Sequence, residues 1–345
     1  MALKELGIEY KKIDQIFVAI SSFKGEIEDI IPKIDTFYNN FKLDESGPPI
    51  AIIDHGVYTT GGKYIELCFP FNPKNAMVDI PTKYIDMIEA LSIMHQGPIE
   101  NLNETFKSIL NYMQERLISG TAYLRLVFHK YNLKNPEENQ IEIQYQLHKW
   151  GDRLKKGMDK VLGESMTNEI LKDRENLFTI ESSQNHRIQW LKAMLDRLDA
   201  ISNEQQHYDI LSCCAHEFSK KRVEHMRSIY EKTGDIDKVI EEMYLDNDWY
   251  EKPIRNGNIL YVIKVPADPE GYEKAQSLEE KKKSYCHCRF INTNFDKEIS
   301  PTFCYCGTGW YRQIWEGILE KPIKVSVLKS LLKGDECCEV AIHLP

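Results

Sequence analysis

The chain has 345 residues, 42% of them hydrophobic and 28% charged, with a formal net charge of −9 at pH 7. That is enough chain for two or three domains of roughly 100–200 residues each, and too hydrophobic for intrinsic disorder. The negative balance argues against coating nucleic acid through bulk charge, no apolar run approaches the ~18 residues of a membrane helix, and the opening MALKELGIEYKKIDQ lacks the apolar core of a signal peptide. A cytoplasmic protein is therefore expected, with neither a membrane nor nucleic acid as partner.

In chain order, YKKIDQIFVAISSFKG reads as a strand ending at Gly25. EIEDIIPKIDTFYNNF has helical spacing through Ile27, Ile30, Ile31, Ile34, Phe37, Tyr38 and Phe41. Pro32 marks either a kink or a late helix start. After Gly47-Pro48-Pro49, PIAIIDHG and KYIELCFPF read as two strands separated by Gly61-Gly62. The same order then returns. ALSIMHQG is a strand, PIENLNETFKSILNYMQERL a helix with Pro98 near its start, and TAYLRLVFHKYN and QIEIQYQLH are two more strands. Gly25 matches Gly97 at an offset of 72, Gly47 matches Gly120 at 73, and Glu66 matches Glu142 at 76. A near-constant offset through four elements predicts a duplicated β-α-β-β unit.

Side chains alternate across a strand. In KYIELCFPF the aliphatic Ile65, Leu67 and Phe69 share one face, and Tyr64, Glu66 and Cys68 share the other. In QIEIQYQLH, Ile141, Ile143, Tyr145 and Leu147 alternate with Glu142, Gln144 and Gln146. Helices covering the aliphatic face would leave Glu66 and Glu142 on the opposite one, near a pseudo-twofold axis. A glutamate in such a position is ordinarily a solvated one, but the symmetric recurrence makes Glu66 and Glu142 candidate site residues. Tyr64 and Cys68 lie beside Glu66, whereas the glutamines beside Glu142 suggest a wetter setting. Tyr10, Tyr38, Tyr58, Phe71, His95 and Tyr123 are candidate aromatic walls or plain core.

The repeated order, the Gly-Pro break and the IELCFPF strand resemble the GyrI-like small-molecule-binding domain over residues of about 6–150. That resemblance implies a groove on the helix-free face of the sheet, lined by aromatics around a buried carboxylate. It would take an amphipathic, cationic or electrophilic organic molecule, with Glu66 and Glu142 at the matching strand positions. Some proteins resembling this domain hydrolyse reactive electrophilic rings. An enzymatic reading therefore stands as a rival, with Glu66 and Glu142 as its catalytic residues. A third alternative is a structural or interaction protein.

Residues 149–245 carry no strand pattern. Ile188, Leu191, Leu195 and Leu198 form one helical stripe. Gly234 suits the end of one helix, and Asp235 the N-cap of the next. The helix that would read DNA in a helix-turn-helix, DIDKVIEEMY, is acidic and would repel phosphate.

From residue 258 the pattern changes to α+β. NILYVIKVPAD reads as a strand, YEKAQSLEEKKK as a helix, SYCHCRFINT as a strand and FCYCGTGWYRQIWEGIL as the lead into a helix. KPIKVSVLKSLLKGDECCEVAIHLP reads as strand, turn and strand. Eight of the nine cysteines lie beyond residue 212. Cys286 with Cys288, and Cys304 with Cys306, form two C-x-C pairs. On extended backbone each pair would put two thiols on one face, and together they are candidate zinc ligands. Buried inert thiols or reactive ones are the alternatives. The CHC, CYCGTGWYRQIWE and GDECC segments resemble an uncharacterised bacterial cysteine-rich domain. More weakly, the ending resembles vinyl-reductase-type regulatory domains and thiazoline-carboxylate hydrolases. No phosphate-cradling or dinucleotide motif is present, so no nucleotide cofactor is expected.

The expected architecture is thus α+β, with a duplicated β-α-β-β antiparallel sheet domain over 1–150. A helical connector is expected over 151–205, and a smaller cysteine-rich α+β domain over 206–345.

Overall fold

The computed structural model describes residues 3–59, 62–72, 80–214, 218–245 and 251–345, with backbone alone for 55–59 and 62. It is α+β and separates into two compact units, one of residues 1–114 and 118–148, the other of residues 115–117 and 149–345. Among the described residues no helix is long and apolar enough to cross a membrane.

The first unit runs β1 (Ile8–Ile13), β2 (Ile16–Gly25), α1 (Ile30–Asn40), β3 (Ile50–Thr59), β4 (Gly62–Pro70), β5 (Thr82–Ile85), β6 (Ile88–Gln96), α2 (Leu102–Glu115), β7 (Gly120–Lys130) and β8 (Gln140–Leu147). Pro32 falls in the first turn of α1, where its missing N–H removes no helical bond, so the helix starts late and is not kinked. Gly97 has φ +118° at the exit of β6, a conformation that side chains disfavour.

The strands form one antiparallel sheet ordered β1-β6-β8-β7-β3-β4-β2-β5. The β3–β7 pairing sets Ile50 opposite Val127, Ala51 opposite Leu126 and Ile52 opposite Arg125. Glu66 lies between Ser22 and Ile52 in the register, and Glu142 between Met94 and Val127. These neighbours correspond at the repeat offset, so the duplication is structural and its axis passes through the Ala51–Leu126 pair.

The helices cover the aliphatic face. The Phe37 ring of α1 stacks on Phe69 of β4 with centroids 3.6 Å apart. Phe106 of α2 meets Tyr145 of β8 edge-on at 5.2 Å.

The duplicated unit is longer than the sequence pattern suggests. Only Asp14 and Gln15 separate β1 from β2, and only Asp86 and Met87 separate β5 from β6. In a flat sheet β1 and β2 would stand six strand spacings apart, about 29 Å. Three Cα–Cα steps span at most about 11 Å, so the sheet curls until its ends join. The register is unbroken across the join, with Ile13 opposite Ile88 and Ile16 opposite Ile85. β1–β2 and β5–β6 are therefore one long two-stranded ribbon. Arg125 on β7 donates from Nη2 to the Asp86 carbonyl at 2.8 Å, which places the ribbon's crossing over the helix-free face. Val18, Ile50, Cys68, Ile85 and Val127 form a small buried apolar cluster there, with Ile16, Ile20 and Ile52 packed against it.

The second unit begins with α3 (Trp150–Leu162), α4 (Glu164–Ile170), α5 (Arg174–Leu177), α6 (Gln184–Ile201), α7 (Glu204–Leu211), α8 (Lys220–Thr233) and α9 (Ile236–Met243). Gly234 ends α8 with φ +63°, and the Asp235 side chain caps α9. Then follow β9 (Ile254–Asn256), β10 (Ile259–Ile263), α10 (Pro269–Lys274), α11 (Leu278–Tyr285), α12 (Tyr305–Leu319), β11 (Lys324–Lys329) and β12 (Glu339–His343). These strands make a sheet ordered β11-β12-β10-β9. One core takes Leu154, Met158, Trp190 and Leu195 together with Cys286, Phe290 and Phe303. Residues of the 151–205 helices and of the cysteine-rich segment thus share it.

Candidate functional site

The helix-free side of the first unit carries two ion pairs related by the pseudo-twofold axis. Lys83 on β5 donates to Glu66 on β4 at 2.6 Å. Lys11 on β1 donates to Glu142 on β8 at 2.9 Å. Lys11 and Lys83 are themselves 72 residues apart, the offset of Gly25 and Gly97. In both pairs the carboxylate is the enclosed partner. The Glu66 and Glu142 side chains are 14% and 7% exposed, against 41% for Lys83 and 37% for Lys11.

Glu142 is the more heavily bonded carboxylate. Burial alone would push its pKa up. Hydrogen bonds from Ser92, His129, Lys11 and Gln144 outweigh that and hold it at about 2. Ser92 Oγ approaches Oε1 at 2.5 Å and His129 Nε2 approaches Oε2 at 3.0 Å. The glutamine-flanked strand looked the wetter of the two in sequence, yet Glu142 and Gln144 are both buried because the curled sheet encloses this face. A carboxylate with so low a pKa is a poor general acid or base near neutrality.

Glu66 has the Cys68 thiol 3.9 Å away. Cys68 is fully buried. Burial first, and the Glu66 charge second, push its thiol up to about 12. Tyr64 follows on the same face, opposite Asp54 in the register. The structure thus sets Glu66, Tyr64 and Cys68 along one strand, with Glu142 at the symmetric place across the sheet.

Between the two halves stands Arg125. Its side of β7 faces the ribbon, it is only 4% exposed, and its Nη1 has no hydrogen-bond partner. The symmetric position in the first half is Ile50, so this charge breaks the pseudo-symmetry. Burial lowers the guanidinium pKa from its ordinary value.

The candidate aromatic wall is mostly elsewhere. Tyr10 lies opposite Leu91 on the helix side. Tyr38 packs edge-on against Phe69, Phe71 meets Phe17, and His95 bonds Thr105 and the Pro98 carbonyl. Tyr123 does belong to the helix-free face, opposite Asp54. The Tyr58 side chain lies outside the described residues.

In the second unit the C-x-C pairs are not on strands. Cys286 caps the C-terminus of α11, and the residues after Cys288 form turns. Cys304 ends a 3-10 turn, and Cys306 lies in the first turn of α12. Helical residues two apart point some 200° apart, so the single-face geometry expected of extended backbone is absent from the Cys304–Cys306 pair, whereas Cys286 keeps extended backbone just past its helix. The two pairs lie near enough that ionising one thiol would raise the pKa of another, Cys304 acting on Cys286 and Cys306 on Cys288. Among the described residues no group of three or more His, Cys, Asp or Glu is arranged to hold a metal ion. Burial pushes Cys286 up to about 12 and Cys304 and Cys306 up to about 11. The Trp150 indole donates to Cys306 at 3.4 Å, and Cys304 shares a hydrogen bond with Ser330 at 3.1 Å. Cys286 is buried in a core, Cys288 and Cys306 pack half-buried against it, and desolvation favours the neutral thiol at each of the four.

Sequence reasoning missed Lys11, Lys83, Ser92, His129 and Arg125. The two lysines were detectable, since they obey the repeat offset. Arg125 left no such signal, because its repeat partner is an isoleucine.

No family model matches the chain, and no curated protein does. Among solved structures, the chain is similar to the EcmrR C-terminal domain, at 19% identity over 41% of this chain and 96% of that one, with a TM-score of 0.34. It is similar to a hydrolase encoded by lin2189 from Listeria innocua, at 11% identity over 41% of this chain and 91% of that one, with a TM-score of 0.30. A third similar structure is SAV2435 bound to tetraphenylphosphonium, at 8% identity over 42% of this chain and 96% of that one, with a TM-score of 0.32. All three scores lie below 0.5, so the reading of the site rests on this chain's own residues.

Proposed function

We propose that the first unit binds an amphipathic organic cation on the helix-free side of its sheet. One observation carries the reading. Two enclosed carboxylates at symmetry-related positions each hold a lysine that is itself partly exposed. A lysine of that kind is a removable counter-ion. Its ion pair is worth no more than ~1 kcal/mol, because water can take over the ammonium. A ligand cation whose own apolar body inserts against the buried cluster of Val18, Ile50, Ile85 and Val127 takes that body out of water and gains burial energy that the lysine does not.

Glu66 is the better receptor. Among the described residues it has one ion pair, with Lys83, whereas Glu142 is already bonded by Ser92, His129 and Lys11. The biological outcome would be sensing, sequestration or detoxification of such a molecule.

The test is an equilibrium titration of the full chain with a fluorescent lipophilic cation, rhodamine B methyl ester. Binding should saturate, and Glu66→Gln should weaken it about tenfold, the loss of one charge-assisted contact. Equal affinity of wild type and variant would remove Glu66 from the site.

A further inference from the structure

The guanidinium of Arg125 is a buried cation that the fold leaves incompletely bonded. It has five N–H donors, and among the described residues it makes one hydrogen bond, Nη2 to the Asp86 carbonyl. Nη1 is shut off from water and has no partner. No carboxylate is within ion-pair distance of it among the described residues, although the Asp86 charge acts on it from further off. A buried unpaired charge is expensive to hold. An anion with two oxygens would satisfy the free edge of the guanidinium fork.

Its surroundings indicate what else the anion's carrier must possess. Arg125 lies opposite Ile52 in the β3–β7 register, and Ile52 is in turn opposite Glu66 across β3–β4. Two strand spacings, about 10 Å, therefore separate the backbone positions of the cation and the carboxylate. Apolar side chains of Ile50, Ile52, Val127 and Cys68 lie around and between them.

Resting on the cation-binding reading above, we propose that the ligand is a zwitterion, whose anionic group is a carboxylate or sulfonate received by Arg125. Its cationic end replaces Lys83 at Glu66, and its apolar body lies on the cluster between. Because Nη1 is out of contact with water, the anion reaches it only when neighbouring side chains move aside. Binding therefore selects a conformation more open than the one described.

Rhodamine B and its methyl ester isolate the point, since they share one lipophilic cation and differ only in a free carboxylate. Anisotropy titrations of the full chain should show rhodamine B binding about tenfold tighter than the ester. In Arg125→Met that preference should vanish while affinity for the ester persists, and Arg125→Lys should keep part of it. Circular dichroism of each variant establishes that it is folded. Equal binding of the two dyes to the wild type, or a preference that survives Arg125→Met, would overturn the zwitterion while leaving the cation site standing. Binding of neither dye would overturn both.

Discussion

Replacing Glu142 by glutamine removes a carboxylate that is 7% exposed and bonded to Ser92, His129 and Lys11. Its pKa of about 2 lies well below the ordinary 4.5. At ~1.36 kcal/mol per pKa unit, the ionised group contributes about 3 kcal/mol to the folded state. Because the folded pKa is depressed, this stability is fully present above pH 4.5 and is lost as the pH falls toward 2. By pH 3 about 2 kcal/mol of it has gone. Glu142→Gln should therefore lower stability by roughly 2–3 kcal/mol at pH 7, and should flatten the dependence between pH 7 and pH 3 by about 2 kcal/mol. Lys11 and His129 are partly exposed, so water rehydrates them and keeps the loss below that of a sealed ion pair. Urea unfolding at both pH values provides the assay. All the tryptophans, Trp150, Trp190, Trp249, Trp310 and Trp315, follow the first unit in sequence. A transition seen by far-UV circular dichroism but not by tryptophan fluorescence thus belongs to the first unit. Equal losses of stability on acidification in wild type and Glu142→Gln would refute the reasoning.

Lys83→Met should strengthen binding of rhodamine B methyl ester about two- to fivefold, because the ligand no longer displaces an ammonium worth up to ~1 kcal/mol; weaker binding in the titration would contradict the counter-ion role. Without ligand, Arg125→Met should melt at or above the wild-type temperature, by ~1 kcal/mol of added stability, since it removes an incompletely bonded buried charge; a clear fall in the melting temperature would show that the Asp86 contact outweighs that burden. Cys286, Cys288, Cys304 and Cys306 should resist alkylation by iodoacetamide at pH 8 until urea is added, as Cys286 is buried, the other three are half-buried, and desolvation holds all four protonated; mass spectrometry showing labelling at free-thiol rates in the native protein would oppose this. Elemental analysis should find zinc well below one atom per chain if these thiols stay protonated, and stoichiometric zinc that disappears in Cys286→Ala would establish them as metal ligands.

The duplicated sheet was legible because its signals are local and repeated. Period-two alternation fixed which face Glu66 and Glu142 share, and matched glycines set the offset. The closure of the sheet was not legible in the same way. β5 is only the four residues Thr82–Ile85, too short for alternation to register, and the ribbon is defined by pairing between segments some 70 residues apart. That closure also converts polar-looking positions into interior ones. Gln144 and Arg125 alternate with aliphatics as solvated residues would, and only tertiary enclosure buries them. The C-x-C pairs show the opposite failure. Their spacing suits a strand, yet packing of Phe290 and Phe303 against Trp150 favours a turn-and-helix path that carries the thiols into a core.

The central claim concerns place: the ligand lies on the helix-free side of the first unit. Amide hydrogen exchange of the full chain, with and without saturating rhodamine B methyl ester, addresses it most directly. Protection is predicted in Ile8–Ile13, Gly62–Pro70, Thr82–Ile85 and Gln140–Leu147, the strands that carry Lys11, Glu66, Lys83 and Glu142. Protection confined to residues 149–345 would contradict the account.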